Sequence, residues 1–514
     1  MNKNQKKQNV PDEIIDFLSA ESGRSLLVKG GSGTGKTTFA LQLLEDFAEP
    51  ESSFYLSTRV SDEALFSQFS WLKDKEMKKR VLDSSKLLLD TLYKSEEEVS
   101  KEEIKTISSA RSFLKSISED HGPPTRVDRT RLSMMIEENR MPEIESLYDR
   151  IDHILPRKAM VVVDSIEGIS HKYNLEMEEV VMCFQKDLVE NSNVNVVMVL
   201  EKSDAGGLEY LVDGVISLSR SEIEERRIRY SHMEKLRATE ISQPFYSMTL
   251  HGGRFRIFTP WTSDINKKND WVYIPDGKRT YSTGIEDFDA ITGGGFGKGT
   301  YNAFEIGEGV SKDEYYTVLR PIFLNFLAQK RGMISILPGG EAPDLFREDL
   351  TTHISDPSIF DNLVRIADYF AVNSDKKYIM PLRKGSTEEA LKIWRDGEQA
   401  ARGIGTYSTT HAGNPYIEYT GFDSLEYIQG ESPAIKGLLA GVVRTKISGD
   451  LGIGMLKPGL KVTKEIFNMM DTYFKIVDIG HTPCIYGIKP KTRIYAITKD
   501  EKKGYPYVSF IPIS

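Results

Sequence analysis

Residues 30–37 form the motif that most constrains how this chain folds. They read Gly-Gly-Ser-Gly-Thr-Gly-Lys-Thr, which matches the phosphate-binding P-loop pattern at every fixed position. A short apolar run at 26–30 precedes the motif, and a helical spacing of apolar residues begins near Lys36. Strand, loop and helix in this order are the context in which a P-loop binds a nucleotide. The predicted nucleotide-binding residues are Gly30, Gly31, Ser32, Gly33, Thr34, Gly35, Lys36, Thr37 and Thr38.

The residue types of the motif suit phosphate chemistry. Glycine lets successive backbone N–H groups turn inward around an anion, and the helix N-terminus adds a partial positive charge. We expect Lys36 to contact the β- and γ-phosphates of ATP and Thr37 to ligate Mg²⁺ through its hydroxyl. Thr38 is expected to contact the α-phosphate. ATP and Mg²⁺ are therefore the predicted cofactors.

Asp164 is the candidate for the second residue of the magnesium site. It follows the apolar run Met-Val-Val-Val at 160–163, which is typical of a strand buried on both faces. A carboxylate at that position lies at the C-terminal edge of the sheet, where open α/β sheets bind their ligands. The alternative is a helix N-cap, because Ser165 and Glu167 follow. We favour the magnesium role.

Other segments extend the predicted sheet. The apolar stretches 53–58, 195–200 and 214–218 indicate further buried, parallel strands. Alternation of apolar and polar residues then predicts an antiparallel extension, at 226–235, 246–250 and 254–258. The fold class is therefore α/β, with a central and mainly parallel sheet.

The chain is long enough for about two to four domains. We assign 1–260 to the nucleotide-binding domain and interpret the charged stretch at about 73–150 as a helical insertion. Residues 261–281, rich in Pro, Asn, Asp and Lys, are the predicted linker. A second α/β domain is predicted at 282–514. The order of elements within 376–430 is left open, because the periodicity there is weak.

Composition restricts the classes of partner. The net charge of −9 means that the protein as a whole has no excess of positive charge to attract nucleic acid. Two cysteines, Cys183 and Cys484, exclude a disulfide scaffold and a cysteine-based zinc cluster. No segment approaches the roughly 18 apolar residues of a membrane span, and the basic N-terminus lacks the apolar region of a secretory signal. We expect a cytoplasmic protein without a membrane partner.

With these residues in place, the chain resembles RecA-superfamily ATPases of the archaeal KaiC and RadA type. Besides the P-loop and Asp164, the resemblance rests on 209–216, 233–239 and 250–255. Residues 282–289 with Thr-Gly-Gly-Gly at 292–295 are similar to the opening of a second KaiC-like domain. The resemblance implies a RecA-like domain followed by a KaiC-like repeat.

Within that superfamily the residues most resemble the archaeal gas-vesicle regulator GvpD family. The relevant segments are 23–27, 55–61 and the arginine-rich 226–229. The resemblance implies an ATP-binding regulator that acts on a protein partner, in that family a transcription activator.

The chain departs from the family pattern at the catalytic base. KaiC-like enzymes carry a glutamate pair after the second strand, where this chain reads Thr-Arg-Val at 58–60. Asp62, Glu63 or Glu201 could substitute, although each is equally well explained as an ordinary helix-start or surface acid. Hydrolysis of ATP to ADP and phosphate is therefore expected to be slow.

Two groups of basic residues leave alternatives open. Lys235 and Arg237 match a Lys-x-Arg pair that reaches the γ-phosphate of the neighbouring subunit in ring-forming relatives, which would require a homo-oligomer; a solvated strand face explains them equally well. Arg226, Arg227 and Arg229 follow several glutamates, so we favour a mixed surface or a protein contact over DNA.

The second domain departs further from the family. In place of a P-loop it reads Phe-Glu-Ile-Gly-Glu-Gly-Val-Ser-Lys-Asp at 304–313. The Gly-Lys-Thr core is missing, and Glu308 and Asp313 would repel phosphate. We expect a degenerate domain without catalysis that serves packing or partner binding.

A regulatory ATPase switch that controls a protein partner is the leading functional hypothesis. An ATP-dependent, DNA-binding recombinase-like protein is the second, and the acidic charge argues against it. A KaiC-like autokinase is the third, and no residue identifies its hydroxyl acceptor.

Overall fold

A computed structural model of the protein describes residues 9–47, 49–73, 80–83, 142–259, 269–369, 375–382, 387–403, 413–500, 503 and 505–513. These residues fall into two compact units, divided between Phe258 and Thr259. Most of the predicted helical insertion at 73–150 lies outside the described residues.

The first unit is built on a nine-stranded sheet with the order β3-β2-β4-β5-β1-β6-β7-β8-β9. Following this order, neighbouring strands are parallel from β3 as far as β6 and antiparallel from β6 as far as β9. The strands are β1 Ser25–Lys29, β2 Ser53–Ser57, β3 Val81–Asp83, β4 Met160–Asp164, β5 Asn195–Leu200, β6 Gly214–Ile223, β7 Arg226–Leu236, β8 Phe245–Thr249 and β9 Arg256–Ile257. The predicted α/β fold with a mainly parallel sheet is confirmed.

Helices cover both faces of this sheet, which explains its continuous apolar strands. Leu26 and Val28 pack with Phe39 in one apolar layer, whereas Leu27 packs with Val161 in the other. Neighbouring residues of β1 are thus all buried, as expected for parallel strands. The helices are α1 Asp12–Leu18, α2 Lys36–Phe47, α3 Asp62–Gln68, α4 Pro142–Asp152, α5 Ile166–Tyr173 and α6 Met177–Cys183, the last continued by a π-helical segment at Phe184–Glu190.

The second unit contains a ten-stranded sheet with the order β15-β14-β13-β16-β17-β12-β18-β19-β20-β21, parallel as far as β18 and antiparallel beyond. Its strands are β12 Tyr301–Ile306, β13 Met333–Ile336, β14 Val364–Asp368, β15 Ile379–Pro381, β16 Ile417–Gly421, β17 Leu451–Leu456, β18 Thr472–Asp478, β19 Pro483–Lys489, β20 Tyr495–Asp500 and β21 Tyr507–Pro512; β10 Thr280–Tyr281 and β11 Phe296–Gly297 form a separate ribbon.

This second sheet repeats the topology of the first. In the first sheet β1 lies between β5 and β6, and β2, the next strand along the chain, lies beyond β5 and β4. In the second sheet β12 lies between β17 and β18, and β13 lies beyond β17 and β16 in the same way. In both, the antiparallel extension follows. The second sheet differs by one additional edge strand, β15.

Helices also cover the second sheet, and an aromatic cluster fills part of its core. Phe288 contacts four phenylalanine rings at centroid distances of 4.9–6.1 Å, those of Phe296, Phe304, Phe474 and Phe510. The helices are α7 Glu286–Thr292, α8 Lys312–Ala328, α9 Pro343–Thr351, α10 Ser358–Leu363, α11 Thr387–Ala401, α12 Phe422–Gln429, α13 Glu431–Ser448 and α14 Thr463–Met469.

The predicted linker, 261–281, is described from residue 269 onward, and there it packs into the second unit. Trp271 is buried, its backbone N–H donates to the His353 carbonyl at 2.9 Å, and its ring centroid lies 4.6 Å from that of Tyr505. The second unit therefore includes residues that precede Ser282. Among the described helices, none combines the length and apolar character that crossing a bilayer requires.

Candidate nucleotide-binding site

The P-loop connects β1 to α2 and is fixed by its neighbours. The Gly30 N–H donates to the Lys202 carbonyl at 3.0 Å. Gly30 has a φ of 154°, and a Cβ added there would lie 2.3 Å from the Leu218 carbonyl oxygen. Gly35 has a φ of 104°, and a Cβ added there would lie 2.8 Å from the Leu250 side chain. Glycine is needed at both positions because any side chain would collide and strain the backbone.

The Lys36 side chain lies inside this loop. Its ammonium group donates to the carbonyls of Gly30 and Gly31 at 2.7 and 2.8 Å, and the residue is only 7% exposed. Burial lowers the pKa of Lys36. Three carboxylates act on this pKa in the opposite direction, in decreasing order those of Glu201, Asp164 and Glu167.

Asp164 ends β4 directly beside the head of α2. Its Oδ2 accepts hydrogen bonds from the Thr37 hydroxyl at 2.7 Å and from the Tyr55 hydroxyl at 2.5 Å. Burial raises the pKa of Asp164, although both hydroxyl bonds favour the ionised form. The alternative of a helix cap does not apply, because Ser165 takes the N-cap position of α5.

The segment in place of the missing glutamate pair is tied to β4 and β5. The Thr58 hydroxyl donates to the Ser165 carbonyl at 3.0 Å and accepts from the Ser165 N–H at 2.8 Å. Arg59 forms an ion pair with Glu201. The Glu201 N–H in turn donates to the Glu167 carboxylate at 2.6 Å. Glu201, a predicted substitute base, is thus paired with an arginine. The other candidates, Asp62 and Glu63, lie in the first turn of α3.

Lys235 and Arg237 lie at the opposite edge of the sheet from their own P-loop. Lys235 pairs with the second residue of β6, whereas the P-loop follows the carboxyl end of the parallel strand β1. The Lys235 ammonium donates to the Val212 carbonyl at 2.6 Å. Arg237 forms an ion pair with Asp213 at 2.9 Å. Both side chains thus contact the segment that precedes β6, at Glu209, Val212 and Asp213.

The arginine-rich segment is partly buried, and Arg227 is its exposed member. Arg226 and Arg229 are buried, at 7% and 6% exposure. The Arg229 guanidinium donates to the Gly33 carbonyl at 2.7 Å, and Arg220, its partner in the β6–β7 register, lies 3.8 Å from the position of a Cβ on Gly33. The β6–β7 hairpin places Arg220 and Arg229 beside the P-loop. The charge pattern of the sequence alone did not reveal this contact.

The corresponding position in the second unit lacks these features. Helix α8 begins at Lys312, as α2 begins at Lys36. Its N-terminus is capped internally, because Ser311 and Glu314 exchange side-chain and backbone hydrogen bonds. Gly421 ends β16 where Asp164 ends β4, so that position has no carboxylate for a cation.

Comparison with known proteins shows which proteins this chain is similar to. A family model described as the P-loop domain of the GvpD gas vesicle protein matches residues 14–234, and a second, described as GvpD basic region 2, matches residues 270–419. The chain is a GvpD-like P-loop protein.

Individual relatives agree with this assignment. Protein GvpD2 of Halobacterium salinarum is 25% identical over 517 residues, which cover 97% of this chain and 95% of the relative. Protein GvpD1 of the same organism is 24% identical over 555 residues, covering 97% and 96%. The circadian clock oscillator protein KaiC of Parathermosynechococcus lividus is 25% identical over 298 residues, covering 56% of this chain and 47% of KaiC.

The remaining predicted residues of this GvpD-like P-loop differ in exposure. The Thr34 hydroxyl donates to the Gly31 carbonyl at 3.0 Å, and Thr34 and Thr38 are buried, whereas Ser32 is exposed. Sequence reasoning missed Tyr55 as a partner of Asp164. The available signal was its position in β2, next to β4 in a parallel sheet.

Proposed function

We propose that this GvpD-like protein binds Mg·ATP at the P-loop of the first unit and that the nucleotide state controls a protein partner. The observation that supports this most directly is the contact between Thr37 and Asp164, 2.7 Å apart at the head of α2. It joins the end of the glycine loop to the carboxylate that follows a buried strand, which is the arrangement of a P-loop NTPase.

The residues present fit the proposed cofactors. Hydroxyl and carboxylate oxygens are the ligands that Mg²⁺ prefers, and Thr37 and Asp164 supply one of each. Lys36, Arg220 and Arg229 surround the loop with positive charge, which suits a polyphosphate. When bound, Mg²⁺ would offset the negative charge of the phosphates beside the half-buried Asp164 carboxylate.

Slow hydrolysis follows from the same geometry. The place of the glutamate pair after β2 reads Thr-Arg-Val at 58–60, so no carboxylate stands there to activate water. Lys235 and Arg237 face away from their own P-loop, so they could act on phosphate only in a homo-oligomer, from a neighbouring subunit. We therefore propose an ATP-responsive switch with a low ATPase rate.

The regulatory part of the proposal draws on the relatives. Their family models are described as parts of a gas vesicle protein, and we propose that the partner is a protein that regulates gas vesicle gene expression, in line with the GvpD resemblance. The net charge of −9 disfavours direct action on nucleic acid.

A pull-down across nucleotide states tests this proposal. Tagged wild type and Lys36→Ala are incubated with extract of the source organism in Mg·ATP, in Mg·ADP or without nucleotide. We expect a specific protein to be retained in one nucleotide state by the wild type, and retention by Lys36→Ala to be the same in all three. A wild-type partner profile that does not change with nucleotide would contradict the switch.

A further inference from the structure

Arg59 and Glu201 bridge the carboxyl end of the strand that ends in Asp164. Arg59 follows β2 and Glu201 follows β5, and β4 lies between these two strands in the sheet. In the register, Asp164 is paired with Ser57 on one side and Val199 on the other. The ion pair therefore spans the mouth of the candidate site, above the carboxylate that contacts Thr37.

The Glu201 carboxylate lies close to where phosphate would bind. Glu201 lies between Leu200, which pairs with Lys29 just before the P-loop, and Lys202, whose carbonyl accepts from the Gly30 N–H at 3.0 Å. A carboxylate and a terminal phosphate at this place repel each other, and both attract the same guanidinium. Arg59 is thus one cation with two competing anionic partners.

The pair can exchange partners because its side chains are exposed and their backbones are fixed. The Arg59 and Glu201 side chains are 41% and 42% exposed, and an exposed ion pair contributes little to stability. The Glu201 N–H is held by Glu167, which is only 3% exposed. Thr58 is held by two hydrogen bonds to Ser165. Partner exchange therefore requires rotation of two side chains only.

We propose that Arg59 is the residue that distinguishes a nucleoside triphosphate from a diphosphate in this protein. With a diphosphate, Arg59 remains paired with Glu201. With a triphosphate, it contacts the terminal phosphate and releases the Glu201 carboxylate at the surface. This inference rests on the proposed nucleotide binding and specifies how the two nucleotide states differ at the protein surface.

Competition and simple structural support predict different results when the two partners are mutated. If the ion pair only supported the loop, Arg59→Gln and Glu201→Gln would change nucleotide affinity in the same direction. Competition predicts opposite directions, because the first variant removes the cation and the second removes the rival anion. Arg254→Gln is a matched control, since Arg254 forms a similarly exposed ion pair with Glu45 on α2.

The test measures the Kd values of Mg·ATP and Mg·ADP by calorimetry for the wild type and these three variants. We expect Arg59→Gln to weaken ATP binding about tenfold, as for one charge-assisted hydrogen bond, and to change ADP binding less than about twofold. Glu201→Gln should strengthen ATP relative to ADP, and Arg254→Gln should change neither. Equal effects on both nucleotides, or the same direction in both site variants, would overturn the role of Arg59. A wild type that binds neither nucleotide would overturn the proposed function as well.

Discussion

At the residue scale, the site combines a buried lysine with a half-buried carboxylate, and the two make different contacts. Lys36 donates to the carbonyls of its own loop, whereas Asp164 accepts from the hydroxyls of Thr37 and Tyr55. Asp164 thus lowers the stability of the nucleotide-free protein, which we relate to its proposed role at the magnesium site. Its burial penalises the ionised form, and only a cation at the site would remove that penalty.

Replacing Asp164 by Asn should therefore stabilise the nucleotide-free protein at neutral pH. Because burial raises the pKa of Asp164 in the folded state, its favourable contribution exists below the unfolded pKa and is lost as pH rises through the folded pKa. Asn retains an acceptor for both hydroxyls. We expect Asp164→Asn to raise Tm by about 2–4 °C at pH 7, as roughly 1 kcal/mol does in a unit of this size.

Thermal unfolding at pH 7 and at about pH 4, without nucleotide, measures this effect. The difference between the variant and wild type should shrink at the lower pH, where the wild-type carboxyl becomes protonated. A lower Tm for the variant at pH 7 would show that the carboxylate stabilises the fold.

At the element scale, the sequence predicted long apolar strands well and short polar ones poorly. Strands β4 and β5 begin and end where the apolar runs do. In contrast, β15 within the stretch 376–430 has only three residues and ends in a proline, which is too short to show a period in the sequence. The contact of Arg229 with the P-loop depends on the pairing of β6 with β1, which joins residues far apart in the sequence and is not encoded by local patterns.

The loop between β1 and α2 gives an element-scale prediction. Gly30→Ala places a Cβ 2.3 Å from the Leu218 carbonyl, whereas a Cβ on Gly31 has no neighbour within 4 Å. We expect Gly30→Ala to lower the free energy of unfolding of the first unit by about 1–3 kcal/mol, as overpacking does, and Gly31→Ala to leave it nearly unchanged. Denaturant unfolding of both variants checks this, and equal stabilities would contradict the proposed packing.

At the scale of the whole molecule, two sheets of the same topology have unequal sites. The strand order repeats around β1 and β12, and both following helices begin with a lysine. Only the first unit has the glycine loop and the carboxylate. The sequence revealed the loss of the second P-loop, whereas the equivalence of Gly421 with Asp164 required the strand order.

The most direct test of the account is the number of Mg·ATP molecules bound per chain, measured by equilibrium titration of the wild type, Lys36→Ala and Lys312→Ala. Lys36 and Lys312 both begin the helix after the first long strand of their sheets, so each variant is a control for the other. We predict one ATP per wild-type chain, about 100-fold weaker binding by Lys36→Ala through loss of a charged contact, and wild-type binding by Lys312→Ala. Unchanged binding by Lys36→Ala, or a loss of binding by Lys312→Ala, would contradict a nucleotide site in the first unit alone.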